Sequence, residues 1–456
     1  MIREKRFYKT LFRLALPSAF QSFLSLLVVM ADNIMISRFD PDNALAAVSQ
    51  VNSVSTFVIS MLMGIGAGGI VLISQYWGKR DKQAIKPICG MVCLSSMMLA
   101  LLVITLVQCL PRTVLSLVLD PEETVLTDIA VKYFRVVCLS YLPTAITGSL
   151  VAVLKGVEVV KMTLYATVLS LLTNISLNYI LIFGKLGLPQ MGVEGAALAT
   201  VIARVVELCV VAFYAFRVQK NVDLRVGDMF HTRRWAFRDY FRFGAPVALG
   251  DTQWALVGML KAAMIGYLGK TMISAINITD TMCNLATMFT FAMADAACVV
   301  IGKSVGAGDY KRTRKESNTI QVLFALFGFV MCFIVFVLRK PFISLYGAAE
   351  DISTLASTLV AIAAVTLLGT TYHAACFRGI NRGAGDGNFV VLIDLICGWL
   401  IVLPLTFLAA FVFKAPLPVI FLFTRIDQCF KWLIAFLRLK GSKWIRNVTR
   451  SSAEAA

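Results

Sequence analysis

The sequence predicts an all-α integral membrane protein with about twelve transmembrane helices in two six-helix pseudo-repeats, and three observations carry that prediction. The first is composition: 59% of the 456 residues are hydrophobic, only 15% are charged, and the mean hydropathy is +0.80. Soluble domains carry roughly 25% charged residues. The second is the length of the apolar runs. They suit helices of about 20 residues and far exceed the roughly ten alternating residues of a membrane barrel strand. In lipid, a helix satisfies its own backbone groups. The third is internal repetition. Pro17 and Pro246 lie 229 residues apart, the loops Gly78–Asp81 and Gly306–Asp309 lie 228 apart, and Lys155-Gly156 and Arg382-Gly383 lie 227 apart.

The first span, 14–37, follows the basic residues Arg3, Lys5, Arg6, Lys9 and Arg13, contains Pro17 and ends near Asp32. Its apolar run is longer than that of a cleavable leader and has no clear small-residue cleavage site, so it is expected to remain in place. The second span, 47–76, carries Gly64, Gly66, Gly68 and Gly69, which suit close helix packing. Spans 87–110 and 128–154 follow, then 162–183 with Asn174 and Asn178, and 193–216 with Thr200 and Arg204. The seventh span, 241–268, holds Pro246, Asp251, Gln253, Trp254 and Lys261, and the eighth, 272–302, holds Asp280 and Asp295. Span 319–338 is uninterrupted, 352–380 contains His373, 387–410 contains Asp394, and 416–437 closes the set. Runs beyond about 20 residues call for tilt or extension past the bilayer.

The most polar long connection separates the halves. The expected organisation is an N-lobe over 1–217, a cytoplasmic linker over 218–240 with a solvated His231, a C-lobe over 241–440 and a basic cytoplasmic tail over 441–456. Lys and Arg crowd the loops after even-numbered spans. The alternate loops carry Asp40, Asp42, Asp120, Glu122, Glu123, Glu350 and Asp351, with Arg339 and Lys340 the main exception. Both termini are therefore expected in the cytoplasm. The same bias, with anionic lipid as partner, explains the net charge of +17 without nucleic acid. The eleven cysteines lack a CxxC pair and read as apolar packers; Cys89 and Cys93 share a face with no companion metal ligands. Six helices per repeat give the two lobes one orientation, as in transporters that hold substrate between lobes.

The chain resembles the multidrug and toxic compound extrusion (MATE) family over nearly its whole length. The resemblance rests on the Pro17-to-Asp32 helix, the two Gly-to-Asp loops, Arg382-Gly383-Ala384-Gly385-Asp386, and Asn174-Ile175-Ser176-Leu177-Asn178-Tyr179 followed by Gly192-Val193-Glu194-Gly195-Ala196-Ala197-Leu198-Ala199-Thr200. It implies a V-shaped two-lobe transporter without enzymatic activity or cofactor. Amphipathic, often cationic compounds would leave in exchange for inward H⁺ or Na⁺. The family's N-lobe cation site falls on Asp32, Asn174, Asn178 and Thr200; the Asn178 position is often an acid in the family, so the amide here lowers the local charge. In the C-lobe the tenth span has no acid and Asp251 is out of register, so a second ion site of the bacterial type is not expected.

Depth provides an independent argument. Asp32 lies about five residues, roughly 8 Å, inside the outer end of the first span, and Thr200 about seven residues, roughly 10 Å, down the sixth. Asn178 sits at a similar depth with Asn174 one turn deeper on the same face. One carboxylate, two amide oxygens and a hydroxyl at one level suit a small cation or a proton. The competing reading makes Asp32 a helix-end marker and the asparagines interhelical hydrogen-bond donors; the shared depth favours the cation site.

Cavity and substrate candidates are Met35, Asn52, Met61, Asp251, Gln253, Trp254, Asp280 and His373. Ionisable groups within spans mark pathways, and Met and aromatic surfaces adapt to flat cations. Asp394 is expected to pair with an arginine such as Arg382. The leading expectation is a monomeric antiporter in the plasma membrane (the bacterial inner membrane). The alternative is an exporter or flippase of lipid-linked saccharides, which would want a basic cavity. It ranks second because the spans read as nearly free of basic residues outside Lys132, Arg135, Arg204 and Lys261. No phosphate-binding loop for a primary pump and no HExxH motif occurs.

Overall fold

The computed structural model describes residues 2, 4–40, 43–116 and 124–450. Arg3, Asp42, Asp120, Glu122, Glu123 and the last six residues of the basic tail lie outside that range. Among the described residues the chain is helical, without strands. The N-lobe comprises α1 (Lys5–Phe39), α2 (Asn43–Lys79), α3 (Lys82–Cys109), α4 (Thr124–Gly156), α5 (Lys161–Phe183) and α6 (Gly192–Val218). The C-lobe comprises α7 (Ala245–Gly266), α8 (Lys270–Gly306), α9 (Tyr310–Ser344), α10 (Glu350–Asn381), α11 (Gly387–Val412) and a broken twelfth span. Ten of these helices, all but α7 and the twelfth, are long and apolar enough to cross a membrane.

The predicted repeat exists at the level of backbone conformation. Arg80 and Gly308 occupy the left-handed region at φ 64° and 76°. The next residues close identical turns: the amide of Asp81 bonds to the Tyr76 carbonyl (3.1 Å) and that of Asp309 to the Ser304 carbonyl (3.2 Å). Each aspartate then caps the following helix, Asp81 accepting from the Ala84 amide and Asp309 from the Arg312 amide. The second pair repeats the pattern, with Glu158 and Gly385 left-handed (φ 65° and 82°) after α4 and α10. Removing one of these caps, as in Asp309→Ala, is expected to cost about 1 kcal/mol. Thermal unfolding in detergent should show a small downward shift with transport retained.

The two lobes share a core at one end only, the end that carries both termini. There Phe7, Leu11 and Leu14 of α1 pack with Ala294, Val300 and Ile301 of α8 and with Phe377 and Trp444. At the opposite end each lobe has its own core: Ile36, Val51, Phe134 and Ala196 in the N-lobe, and Met272, Ile276, Leu359 and Phe421 in the C-lobe. The lobes thus diverge away from the termini. Glycine makes the shared end tight. A side chain at Gly306 would overlap the Gln75 backbone, and one at Gly78 would overlap the Lys303 backbone. The α2 glycines serve packing as read from sequence: Gly64 and Gly68 face α7, Gly66 faces α4 and Gly69 faces Val92 of α3.

The segment after the twelfth span is docked. Trp444 and Val448 are buried. Gln75 donates to the carbonyls of Gly383 (3.0 Å) and Arg446 (3.3 Å) and accepts from the Val448 amide (2.9 Å). Arg450 grips Asp239 through two bonds of 2.7 Å, and Arg438 and Arg446 both reach the fully buried Asp386. His231 is exposed, as expected for a loop residue.

Two spans depart from the sequence reading. Pro246 follows a wide π-type turn, Tyr240–Gly244, which accommodates its missing N–H. The twelfth span, read as continuous over 416–437, breaks into Leu417–Phe423, a tight turn Ile426–Cys429 and Lys431–Lys440. Arg425, Asp427 and Lys431 lie at this break, where irregular backbone is tolerable because it is buried in protein and lines a cavity.

Candidate functional site: an oxygen cluster in the N-lobe and a charged cavity in the C-lobe

The N-lobe residues that the family resemblance names, and that share a depth, are in mutual contact. The side-chain amide of Asn178 on α5 donates to the Asp32 carboxylate on α1 and lies 3.3 Å from the Asn174 side-chain oxygen. The Asn174 amide reaches the Thr200 hydroxyl on α6 at 3.4 Å, and that hydroxyl donates to the Ala196 carbonyl one turn back. Asn174 and Asn178 are buried and Asp32 is half-buried. The second side-chain oxygen of the pair, Asn178 Oδ1, is buried without a hydrogen-bond partner. The four residues therefore supply hard oxygen ligands with one acceptor uncommitted, which fits a small cation or a proton. A second polar group lies further along the same helices. Arg204 pairs with the buried Glu207 (2.8 Å), Thr167 donates to Glu207 (3.2 Å), and Gln21 donates to Thr167 (3.1 Å). Sequence reasoning noted Arg204 but missed Glu207, which sits three residues on, one turn along α6.

Met35, Asn52 and Met61 are partly exposed on α1 and α2; Met35 packs on the N-lobe outer core. None of the three lines the large cavity, which belongs to the C-lobe. That cavity has a volume of about 690 Å³ and is lined by residues of α7, α8, α10, α11 and the broken span. Asp251, Trp254, Asp280 and His373 line it as predicted. Gln253, one residue from Trp254, does not: it is buried against Gly398 with both polar atoms unpartnered.

The ionic partners differ from the sequence reading. Arg382 holds Asp251 through two bonds of 3.2 and 2.7 Å, so the expected Asp394–Arg382 pair is not formed. Asp394 instead pairs with Lys431 (3.0 Å), which also holds the fully buried Asp427 (3.0 Å). Arg425 approaches Asp280 at 3.4 Å, and Arg378 binds Asp295 through two bonds of 2.6 and 3.2 Å. His373 is bonded to the Gly369 carbonyl at 2.9 Å and sits edge-on to Phe377. Trp254 is flanked by the ammonium groups of Lys431 (4.4 Å from the ring centroid) and Lys261 (5.3 Å). The spans are thus not nearly free of basic residues: Arg378, Arg425 and Lys431 join Lys261 inside them, and Arg382 sits just past α10. A wide turn over Ala375–Asn381 ends α10; Arg378 within it and Arg382 just beyond it both line the cavity.

The family model described as MatE matches residues 17–180 and again 246–408. The chain belongs to the MatE family. The two matched stretches start 229 residues apart, the offset of the Pro17–Pro246 repeat. As a MatE protein it is a multi-pass membrane transporter rather than an enzyme. Among curated proteins it is similar to the uncharacterized transporter YisQ of Bacillus subtilis, at 26% identity over 96% of this chain and 95% of that protein. It is also similar to the probable multidrug resistance protein NorM of Thermotoga maritima, at 24% identity over 96% and 93%. Among solved structures, a MOP superfamily transporter from Pyrococcus furiosus matches with a TM-score of 0.84 at 19% identity, covering 97% of both chains. At that identity the match speaks for the two-lobe MatE fold alone.

Proposed function

We propose that this chain is a secondary active multidrug exporter that expels small amphipathic organic compounds in exchange for H⁺ or Na⁺ entering through the N-lobe. The observation that carries the reading is the oxygen cluster of Asp32, Asn174, Asn178 and Thr200 with its uncommitted buried oxygen. A cation bound there neutralises the one carboxylate, and a proton does the same by covalent attachment. Either changes how strongly Asp32 holds the Asn178 amide and hence how α1 sits on α5. The names of the relatives, which include multidrug resistance proteins, favour drug export over the flipping of lipid-linked saccharides.

In this reading the chain acts as a monomer in the bacterial inner membrane with both termini in the cytoplasm. The lobes 1–217 and 241–440 move about the linker 218–240. The excess of Lys and Arg in the loops at the terminus-bearing end supports the orientation, which makes the described arrangement closed to the cytoplasm and open outward. No cofactor is required beyond the coupling ion.

The test is transport by purified protein in proteoliposomes under separately imposed proton and sodium gradients, read by movement of fluorescent organic compounds. Uphill movement is expected under one gradient. Movement under neither, for probes of both charge signs, would overturn the proposal.

A further inference from the structure

We propose that the C-lobe cavity is a binding site for amphipathic organic anions, with the Lys261 ammonium as the group that receives a carboxylate or sulfonate. Lys261 on α7 has no carboxylate within ion-pair distance among the described residues; Asp427 and Asp280 are its nearby acids, and each is held by another cation. Its contacts are the Thr424 carbonyl at 3.4 Å and the Trp254 ring. Every carboxylate that lines the cavity is, by contrast, already engaged: Asp251 by Arg382, Asp280 by Arg425 and Asp394 by Lys431.

A protein cavity recognises an organic cation with free carboxylates or with open aromatic faces. Here the carboxylates and three of the four lining Trp and Phe rings already have the protein's own cations beside them, and the fourth, Phe377, packs edge-on to His373 and Phe389. Trp254 has two ammonium groups near its ring, Phe291 has Arg378 at 5.4 Å and Phe421 has Arg425 at 5.2 Å. A cationic guest would have to share the lining carboxylates with a protein cation already beside them, and at the buried Asp251–Arg382 pair displacing the arginine would leave it buried and unpaired, which costs several kcal/mol. An anionic guest displaces nothing. It gains a charge-assisted bond to Lys261 in a site of low dielectric. Ile265, Ile276 and Ala262 beside Lys261 offer an apolar wall for the rest of the molecule. The volume of about 690 Å³ is that of a site for a drug-sized ligand.

This inference names a substrate class and rests on the export reading only for the direction of transport, so its test uses equilibrium binding without a gradient. Purified protein in lipid nanodiscs is titrated with carboxyfluorescein, an anion, and with ethidium, a cation, and binding is followed by fluorescence polarisation. The native protein is expected to bind carboxyfluorescein. Lys261→Gln should weaken that binding by about tenfold, equivalent to ~1.4 kcal/mol, without weakening ethidium. Lys261→Arg, which keeps the charge, should stay within about threefold of native. Size-exclusion and thermal unfolding establish that each variant is folded; if Lys261→Gln is not, Lys261→Met reads the same loss. Absence of carboxyfluorescein binding to the native protein, or equal binding by native and neutral variant, would overturn the proposal, as would a parallel loss of ethidium. Anion binding that persists in a protein unable to move solutes under either gradient would instead overturn the export reading and leave the site standing.

Discussion

Asp32→Asn is expected to lower gradient-driven transport by about 100-fold, the upper range for a coupling free energy of 1–3 kcal/mol. The substitution keeps the shape of the side chain and keeps an oxygen facing the Asn178 amide. What it removes is the only carboxylate in the oxygen cluster. The four neutral oxygens that remain bind a sodium ion weakly, and none of them accepts a proton near neutral pH. The fold should survive, because an amide–amide hydrogen bond replaces the charged one. Dye efflux from energised vesicles under separate proton and sodium gradients provides the measurement. Native rates under both gradients would remove Asp32 from the coupling mechanism. The converse substitution, Asn178→Asp, adds a second carboxylate to the cluster. It should preserve transport and shift the cation dependence to lower concentration.

Gly306→Leu should abolish transport through a different cause. At this point the α8 backbone lies directly on that of α2, and any Cβ would overlap the Gln75 peptide group. A leucine must push the lobes apart, and the neighbouring contacts go with it: the Gly78–Lys303 approach and the Lys303–Glu158 ion pair at 2.8 Å. Overpacking a tight site costs about 1–3 kcal/mol even where repacking is possible. Here backbone meets backbone, with no side chain to rotate away. The closed arrangement of this end should therefore become inaccessible in a protein that still inserts. Transport at background with a monodisperse gel-filtration profile is expected, with Gly306→Ala intermediate. Native transport by the leucine variant would show that this closure is not part of the cycle.

The parts of the molecule legible in the sequence were those fixed by burial and period. Apolar runs give the spans, because lipid tolerates little else. The Gly-to-Asp loops give the repeat, because a left-handed residue followed by a capping aspartate leaves a local signature. The family resemblance named Asp32, Asn174, Asn178 and Thr200 together, and their similar depths agreed with it, since helices that cross one slab share a ruler. Partners across the C-lobe could not. Charge type is written in the sequence, but which of Arg378, Arg382, Arg425 and Lys431 meets which aspartate depends on two local irregularities, the wide turn in α10 and the break in the twelfth span. The break in the twelfth span has no proline or glycine at Ile426–Cys429, and the single Gly379 in the α10 turn does not say which aspartate each cation will meet. In the tail, read from sequence only as basic, the buried Trp444 and Val448 are the residues that fix its position, and their burial has no periodic pattern to announce it.

That docked tail has a consequence for how the protein is made. Gln75 finds its partners 308, 371 and 373 residues further along the chain. While the chain is being synthesised, both lobes can enter the membrane and pack internally, but the hydrogen bonds that tie α2 to residues 446–448 must wait until those residues, beyond the twelfth span, have left the ribosome. This stitch in the seam between the lobes thus forms only after every span has been made, so a chain cut before residue 446 has all of its spans and lacks the fastening that holds them shut.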